Sequence, residues 1–509
     1  MSRVYAVAWR AGLLLMLAVA WPAVAERAPD RVLEGSIDGR DHQSYRLLPF
    51  DVPAGTSRIT VAFDYEGRER KTAIDLGLLG PDGFDGPDGF RGWSGGNKPR
   101  FTVSAHDATP SYFPGALHPG TWSLLLGIPN IRQDERADYR ASIWLDAVAA
   151  EPVEAPLVLD GTARWYRGDL HLHSGHSDAS CDSQSGARVP CPLFLSAQAA
   201  AAAGLDFVAV TEHNTASHLH ELLGLQPYFD RLLLMPGMEV TTFQGHVNVF
   251  GLAQPLDFRL GSEAVPDWNA LLDAIDEAGM PASINHPALP SDERCMGCGW
   301  TPRQPVSMGR FAAIEVVNGG DADTPVSGIG FWQRQLDAGH RLTGIGGSDN
   351  HDATRRGAAL GAARIGAPTT VIHATALSQA ALLDGLRRGR VFIDVEGSRD
   401  RHLILTARHE DRALAMGDVV RLATGDSLDI GLDVRAPAGS RIELLLDGRP
   451  LALPQDGVLH ADSRTDALTW RSDGARHWLR ADVRSADGRL LLVGNPIYID
   501  VDAPAHAGH

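Results

Sequence analysis

Large apolar residues fall at every second position in Ile59-Thr-Val-Ala-Phe-Asp-Tyr65, the spacing that puts side chains on one face of a strand. Pro81-Asp-Gly83 and His118-Pro-Gly120 supply turns, and the glycine-dense stretch 80–98 predicts a long loop. Residues 26–146 therefore read as an N-terminal β-sandwich domain, and 147–160, rich in Ala, Glu and Pro, as a linker. From residue 161 the pattern changes. Apolar runs at Leu205–Thr211, Leu232–Pro236, Pro281–Ile284 and Leu342–Gly346 alternate with helical spacing, as in Trp268, Leu271, Leu272 and Ile275 and again over Leu377–Leu386. Strands alternating with helices mark an α/β domain, here 161–395. Period-two alternation returns over 396–503, where Asp447-Gly448 is a hairpin signal and Leu479, Ala481 and Val483 share a face; this predicts a C-terminal, Ig-like β-sandwich.

The runs of the middle segment end in residues that bind metals. They are Asp169-Leu-His171-Leu-His173, Ser177-Asp178, Glu212-His213-Asn214, Gly237-Met-Glu239, Gly245-His246-Val-Asn248, Asn285-His286-Pro287 and Gly347-Ser-Asp349-Asn-His351. Residues two apart on a strand face the same side, so His171 with His173, and Asp349 with His351, can converge on one ion. A lone histidine at a strand end is ordinarily a surface or core residue. The metal reading rests on every strand end in this stretch delivering a ligand type. Such ends meeting at one face of a barrel would cage divalent cations, and clustered cations activate water. Mixed imidazole and carboxylate donors suit zinc, manganese or iron, two or three ions in all. No G-x-S-x-G elbow offers a serine nucleophile instead.

In this order the motifs resemble the PHP (polymerase and histidinol phosphatase) superfamily, and more narrowly the CehA/McbA-type metallohydrolases, over about residues 160–395. The resemblance implies a distorted (β/α)7-type PHP barrel, here flanked by the two all-β domains. It also implies a trinuclear site. His171, His173, Glu239 and Asp349 would hold the first metal, with Glu239 bridging to a second on His246 and His286, and Asp178, His213 and His351 holding a third. Glu239 and Asp349 thereby belong to the catalytic centre as well. Ala179 departs from the family's usual glycine after Ser-Asp.

Neighbouring residues carry further expectations. Asp169 is expected to orient a ligating imidazole. Glu315 reads either as catalytic or as a buried carboxylate paired with an arginine, and His176 as a rim residue. Arg355 and Arg356 could clamp a phosphate bidentately, or sit in a solvated loop.

The net charge is −17 and the only lysines are Lys71 and Lys98, so a nucleic-acid polymer is excluded as a partner and a small-molecule substrate is expected. Arg3, Arg10, the apolar run Ala11–Ala20 and Ala23-Val-Ala25 read as a signal peptide, residues 1–25, cut after Ala25. Periplasmic or secreted placement follows, and no later run of about 18 apolar residues predicts a membrane span. Cys181, Cys191, Cys295 and Cys298 are expected to form disulfides, most simply within each local pair. A four-sulfur structural zinc and a redox-active Cys-x-x-Cys are the rivals.

Together these features favour an exported metal-dependent hydrolase of small phosphoesters. Hydrolysis of a carbamate, carboxylic ester or amide is the alternative within enzymes. Outside enzymes, a glycan or cell-wall binder with an inert barrel competes, as does metal storage or sensing.

Overall fold

The computed structural model describes residues 27–84, 89–94, 98–109, 111–147, 157–252, 256–291, 295, 297–354 and 363–501. The expected signal peptide, and Arg355 and Arg356, lie outside the described residues. The chain is mostly β, with several sheets and few helices. It divides into two compact units, one formed by residues up to 102 with 117–148, the other by 103–116 and the remainder.

The first unit carries two four-stranded sheets. One orders Arg31–Asp38, Arg136–Asp146, Arg58–Tyr65 and Arg100–Ser104; the other orders Ser44–Val52, Gly120–Asn130, Ala73–Leu79 and Phe90–Ser94. The alternation read at Ile59, Val61 and Phe63 buries all three.

The second unit is built on a mixed sheet. Its order runs Thr343–Gly347, Ala313–Asn318, Ala282–Ile284, Gly245–Phe250, Leu233–Thr242, Phe207–His213, Arg164–Leu172. All of these run in one direction except Gly245–Phe250, which is antiparallel to both neighbours. Beyond Thr343–Gly347 the chain reaches back to the other end of this row: Asp349 N–H donates to His171 O (2.7 Å) and His173 N–H to Asn350 O (3.0 Å). The approach is close enough to demand glycine, since a Cβ on Gly347 would lie 2.4 Å from His171 Cβ.

Regular strand–helix alternation, and with it a (β/α)7 barrel, is not what the described residues show. Leu233–Thr242 passes into Gly245–Phe250 through a two-residue turn, with no helix between. One ligand-type residue does not leave the carboxyl end of a parallel strand. His246 opens an antiparallel strand, whose amino end lies at the same edge of the sheet.

Helices pack on this sheet through the stripes seen in the sequence. In Trp268–Glu277 the buried residues are Trp268, Leu271, Leu272 and Ile275, and Asp267 caps the helix by accepting from the N–H groups of Asn269 and Ala270. Each such burial contributes about 1.5–3 kcal/mol and the cap about 1 kcal/mol. Gln379–Arg387 repeats the arrangement, with Ser378 as cap and Leu382, Leu383 and Leu386 buried.

On its other flank Arg164–Leu172 pairs with Thr369–Ala374, then Val391–Asp394, then Leu490–Gly494. The last pairing makes one sheet of the C-terminal part continuous with the sheet that carries the metal-binding motifs. A second sheet, Arg412–Ala415, His402–His409, Ser427–Arg435 and Ser463–Arg471, shares a core with it, Leu403, Leu405, Ile430 and Leu432 packing in one cluster with Leu444, Ala481 and Leu492. Among the described residues no helix is long and apolar enough to cross a membrane.

Candidate metal centre

The strand ends bring the ligand-type residues to one place around Glu239, which is completely buried. Its Oε1 lies 3.4 Å from His171 Nε2, 3.3 Å from His246 Nδ1 and 3.3 Å from His286 Nε2. Its Oε2 lies 2.8 Å from His213 Nδ1 and 3.5 Å from His173 Nε2. Asp349 Oδ1 stands 3.3 Å from His171 Nε2 and 3.2 Å from His173 Nε2. On the more open side Asp178 Oδ1 approaches His351 Nε2 (3.3 Å) and His213 Nε2 (3.6 Å).

These spacings fit shared cations. Two donors each about 2.1 Å from one ion, at tetrahedral or octahedral angles, sit about 3.0–3.4 Å apart. Many of the donors lack other work: His171 Nε2, both ring nitrogens of His246 and Glu239 Oε2 are buried without a hydrogen bond. Buried polar atoms are nearly always satisfied, so the donor set suits an ion. Donor atoms within 4.8 Å of one another form the groups His171, His173 and Asp349, and His173, Asp178, His213 and His351. A third group adds Cys298 to His246 and His286, but Cys298 is in a disulfide with Cys295 and has no thiolate to offer. The group His171, His286 and Glu315 is better explained by hydrogen bonding.

Glu315 pairs with no arginine among the described residues. Its Oε1 accepts from His171 Nδ1 (3.0 Å), while Oε2 accepts from the His286 backbone N–H (3.0 Å) and from Asn318 Nδ2 (3.1 Å). A carboxylate only accepts, so the proton of His171 sits on Nδ1 and Nε2 is turned to the cluster. His286 Nδ1 likewise donates to Cys298 O (3.2 Å) and His351 Nδ1 to Asp349 O (2.9 Å). Such partners fix tautomer and ring orientation. Glu315 thus has the contacts of a residue that positions the His171 ring and the His286 backbone. Glu315→Gln should weaken metal binding about 10–100-fold with little change in fold, because a glutamine amide can present a donor where His171 needs an acceptor. Competition with a fluorescent zinc chelator measures it; unchanged affinity would refute the assignment.

Asp169 also differs from expectation. It orients no imidazole. It accepts instead from three backbone N–H groups, those of His171 (3.2 Å), Ser348 (3.0 Å) and Gly366 (2.8 Å). Glu212 points away from His213 and takes the N–H and hydroxyl of Ser174 and the hydroxyl of Ser177, holding the turn that delivers Asp178. His176 sits off the cluster between Ser217 Oγ and Glu221 Oε2, at 2.9 Å from each.

Three supporting residues have no role assigned from the sequence: Thr241, whose Oγ1 is 2.7 Å from His213 Nδ1; Asn285, within the Asn-His-Pro motif, whose Nδ2 donates to Glu239 Oε1 (2.9 Å); and Asn318, which also reaches Asp349 Oδ2 (3.3 Å). The backbone is strained here. Asn214, His286 and Asp349 have φ of 52°, 27° and 52°, a region that costs a non-glycine residue about 1–3 kcal/mol and that clusters at functional sites.

Electrostatics point the same way. Burial pushes Glu239 up, but His171, His213 and His246 outweigh it and hold the carboxyl well below the usual range. Asp349 is likewise lowered despite burial, chiefly by His171 and His173. Burial lowers His351, yet Asp178 and Asp349 raise it to about 9; burial, His351 and His213 take His173 down to about 3. The imidazoles around them thus hold two carboxylates, buried Glu239 and part-buried Asp349, in the ionised form.

Cys181–Cys191 braces the hairpin of Ser180–Asp182 and Arg188–Pro190 after the first motif, and Cys295–Cys298 lies against His286; no described cysteine is free. The pairs are local, and they suit an oxidising compartment.

No protein-family model matches the chain, and no curated protein matches it. Among solved structures, a two-domain protein from Bacteroides vulgatus containing a predicted PHP-like metal-dependent phosphoesterase is similar at 18% identity. The likeness covers 69% of this chain and 100% of that one, with a TM-score of 0.35, too slight to decide fold or chemistry.

Proposed function

We propose that the chain is an exported metal-dependent hydrolase of the PHP type, and that its substrates are small phosphoesters. The single observation that carries this reading is Glu239, one buried carboxylate within 3.5 Å of five imidazoles, with three on one oxygen and two on the other. That is the arrangement of a bridging ligand. His171, His173 and Asp349 would complete one ion's shell, His246 and His286 a second, and Asp178, His213 and His351 a third. The CehA/McbA-type assignment and a distorted barrel closed by the Asp349–His171 contact belong to the same proposal.

Clustered divalent ions, when bound, lower the pKa of a shared water to near 7 and polarise the oxygens of the substrate. The chain's own groups prepare the place. Glu315, Cys298 O and Asp349 O each hold an imidazole proton on Nδ1, leaving Nε2 toward the centre. Glu239 and Asp349 stay ionised and balance the added charge. Asp178, the exposed member, marks the open side, beside a cavity of about 240 Å³ lined by Ser177, Ala179, Arg188 and Val189 among others.

Chelation with EDTA should abolish turnover of p-nitrophenyl phosphate, and Mn²⁺ or Zn²⁺ should restore it, with the corresponding acetate and carbamate left untouched. Turnover of the carbamate or acetate alone would replace the phosphoester reading by the carboxyl one. Fully metal-loaded protein that hydrolyses nothing in the panel would leave the glycan-binder alternative ahead.

A further inference from the structure

One sheet of the first unit carries aromatic rings on its outer side. In Gly120–Asn130 the alternate residues Trp122, Leu124, Leu126 and Ile128 are buried and define the inner side. Strand register sets the rows on the opposite side. In one row Tyr45 and Asp75 stand on either side of Gly127. In the next, Leu47, Leu125, Gly77 and Trp93 follow one another across four strands. Tyr45 is 74% exposed and Leu47 56%, so this side meets water. Phe90, paired with Leu79, continues it, and exposed Phe84 stacks on Phe90 with ring centroids 5.6 Å apart.

The middle of this face is shaped to seat an indole. A Cβ on Gly77 would lie 2.7 Å from Trp93 Cε3, and one on Gly127 2.5 Å from Trp93 Cη2. The six-membered ring of Trp93 therefore rests across both glycines, and the Tyr45 ring centroid lies 6.2 Å from that of Trp93. Glycine weakens a strand interior and marks a close approach; here the group that approaches is a side chain of the same sheet. Beside the rings, partial burial pushes the Asp75 carboxyl up, and no cation or hydrogen bond opposes that rise. None of the strand positions that share this side with Tyr45, Leu125 and Gly77 is a lysine or arginine, so an anionic ligand finds no counter-charge. Contiguous exposed apolar surface marks a binding face, and Trp and Tyr offer an apolar ring with a polar tip. A neutral sugar ring matches this set: its C–H groups lie against the aromatic rings, and its hydroxyls donate to a carboxylate that only accepts.

We propose that this face of the first unit binds a neutral polysaccharide, with sugar rings resting on Trp93 and Tyr45 and Asp75 accepting hydrogen bonds from their hydroxyls. The inference goes beyond the hydrolase reading and does not depend on it.

The test is calorimetric titration of the metal-loaded protein with cellohexaose, maltohexaose, xylohexaose and mannohexaose. Wild type should bind at least one of them with a Kd below about 1 mM. Trp93→Ala should weaken that binding more than about tenfold, and Tyr45→Ala about three- to tenfold; Tyr45→Trp should retain it. Tyr45 is so exposed that its replacement leaves the fold intact, and turnover of p-nitrophenyl phosphate should be unchanged in every variant. Failure of wild type to bind any of the four sugars overturns the proposal, as does undiminished binding in Tyr45→Ala. Sedimentation equilibrium supplies the remaining arm: a wild-type dimer that Tyr45→Ala dissociates would assign the face to a second copy of the chain and overturn the proposal as well. Sugar binding in protein that hydrolyses no ester would remove the hydrolase reading alone.

Discussion

Glu239→Gln is expected to lose bound metal and to lower the turnover of any substrate by about 10³–10⁴-fold, the equivalent of several kcal/mol of metal-supplied stabilisation. Glutamine has nearly the same volume, so packing is preserved. It carries no charge, however, and its amide nitrogen would turn donors toward ring nitrogens that need lone pairs free for an ion. Wild type should gain stability from added metal, about 2.7 kcal/mol at a hundredfold excess over Kd, and the variant should gain almost none. Elemental analysis and thermal melts with and without Zn²⁺ separate the two effects. A variant that keeps its full metal complement and its activity would show that the carboxylate bridges nothing, and the hydrolase reading would go with it.

The sequence disclosed the members of this cluster more readily than their support. His171, His173, His213, His286 and Asp349 stand at strand ends in short motifs, and strand ends are legible because apolar runs stop there. The supporting contacts cross between strands. Glu315 reaches back 144 residues to His171, and Asp169 reaches forward 197 to Gly366, and nothing in either local pattern encodes that register. Glu315 read either as catalytic or as a buried carboxylate paired with an arginine; among the described residues its oxygens meet the His171 imidazole, the His286 N–H and the Asn318 amide. Gly245-His246-Val-Asn248 was legible as a motif only; that it belongs to an antiparallel strand follows from the two-residue turn before it. The β character of the C-terminal part was visible in its period of two. Its junction with the central sheet was not, since Val391–Asp394 is only four residues long and its pairing with Leu490–Gly494 leaves no mark on either segment.

Asp169→Ala should be the most destabilising change outside the metal ligands, at about 3–6 kcal/mol. The carboxylate is completely buried, and burial raises its pKa above the usual value against the opposing pull of its hydrogen bonds to Ser348, Gly366 and His171. Removing it recovers the desolvation of one acid but strands three buried N–H donors, each costing about 1–3 kcal/mol unpaired. Those donors sit on segments far apart in the chain: His171 ends the Arg164–Leu172 strand, Ser348 follows Thr343–Gly347, and Gly366 precedes Thr369–Ala374. One side chain therefore holds together the strand end that delivers His171 and the loop that delivers Asp349. Asp169→Asn should fall between wild type and alanine. Its carbonyl can keep the two bonds that Oδ1 now accepts, while its NH₂ group would face the Gly366 N–H donor to donor. Urea titration followed by tryptophan fluorescence reads the stability, and elemental analysis of the folded variant reads the site. An alanine variant within about 1 kcal/mol of wild type would mean that the three donors find water, and that the two halves of the proposed centre are held in register by something other than this carboxylate.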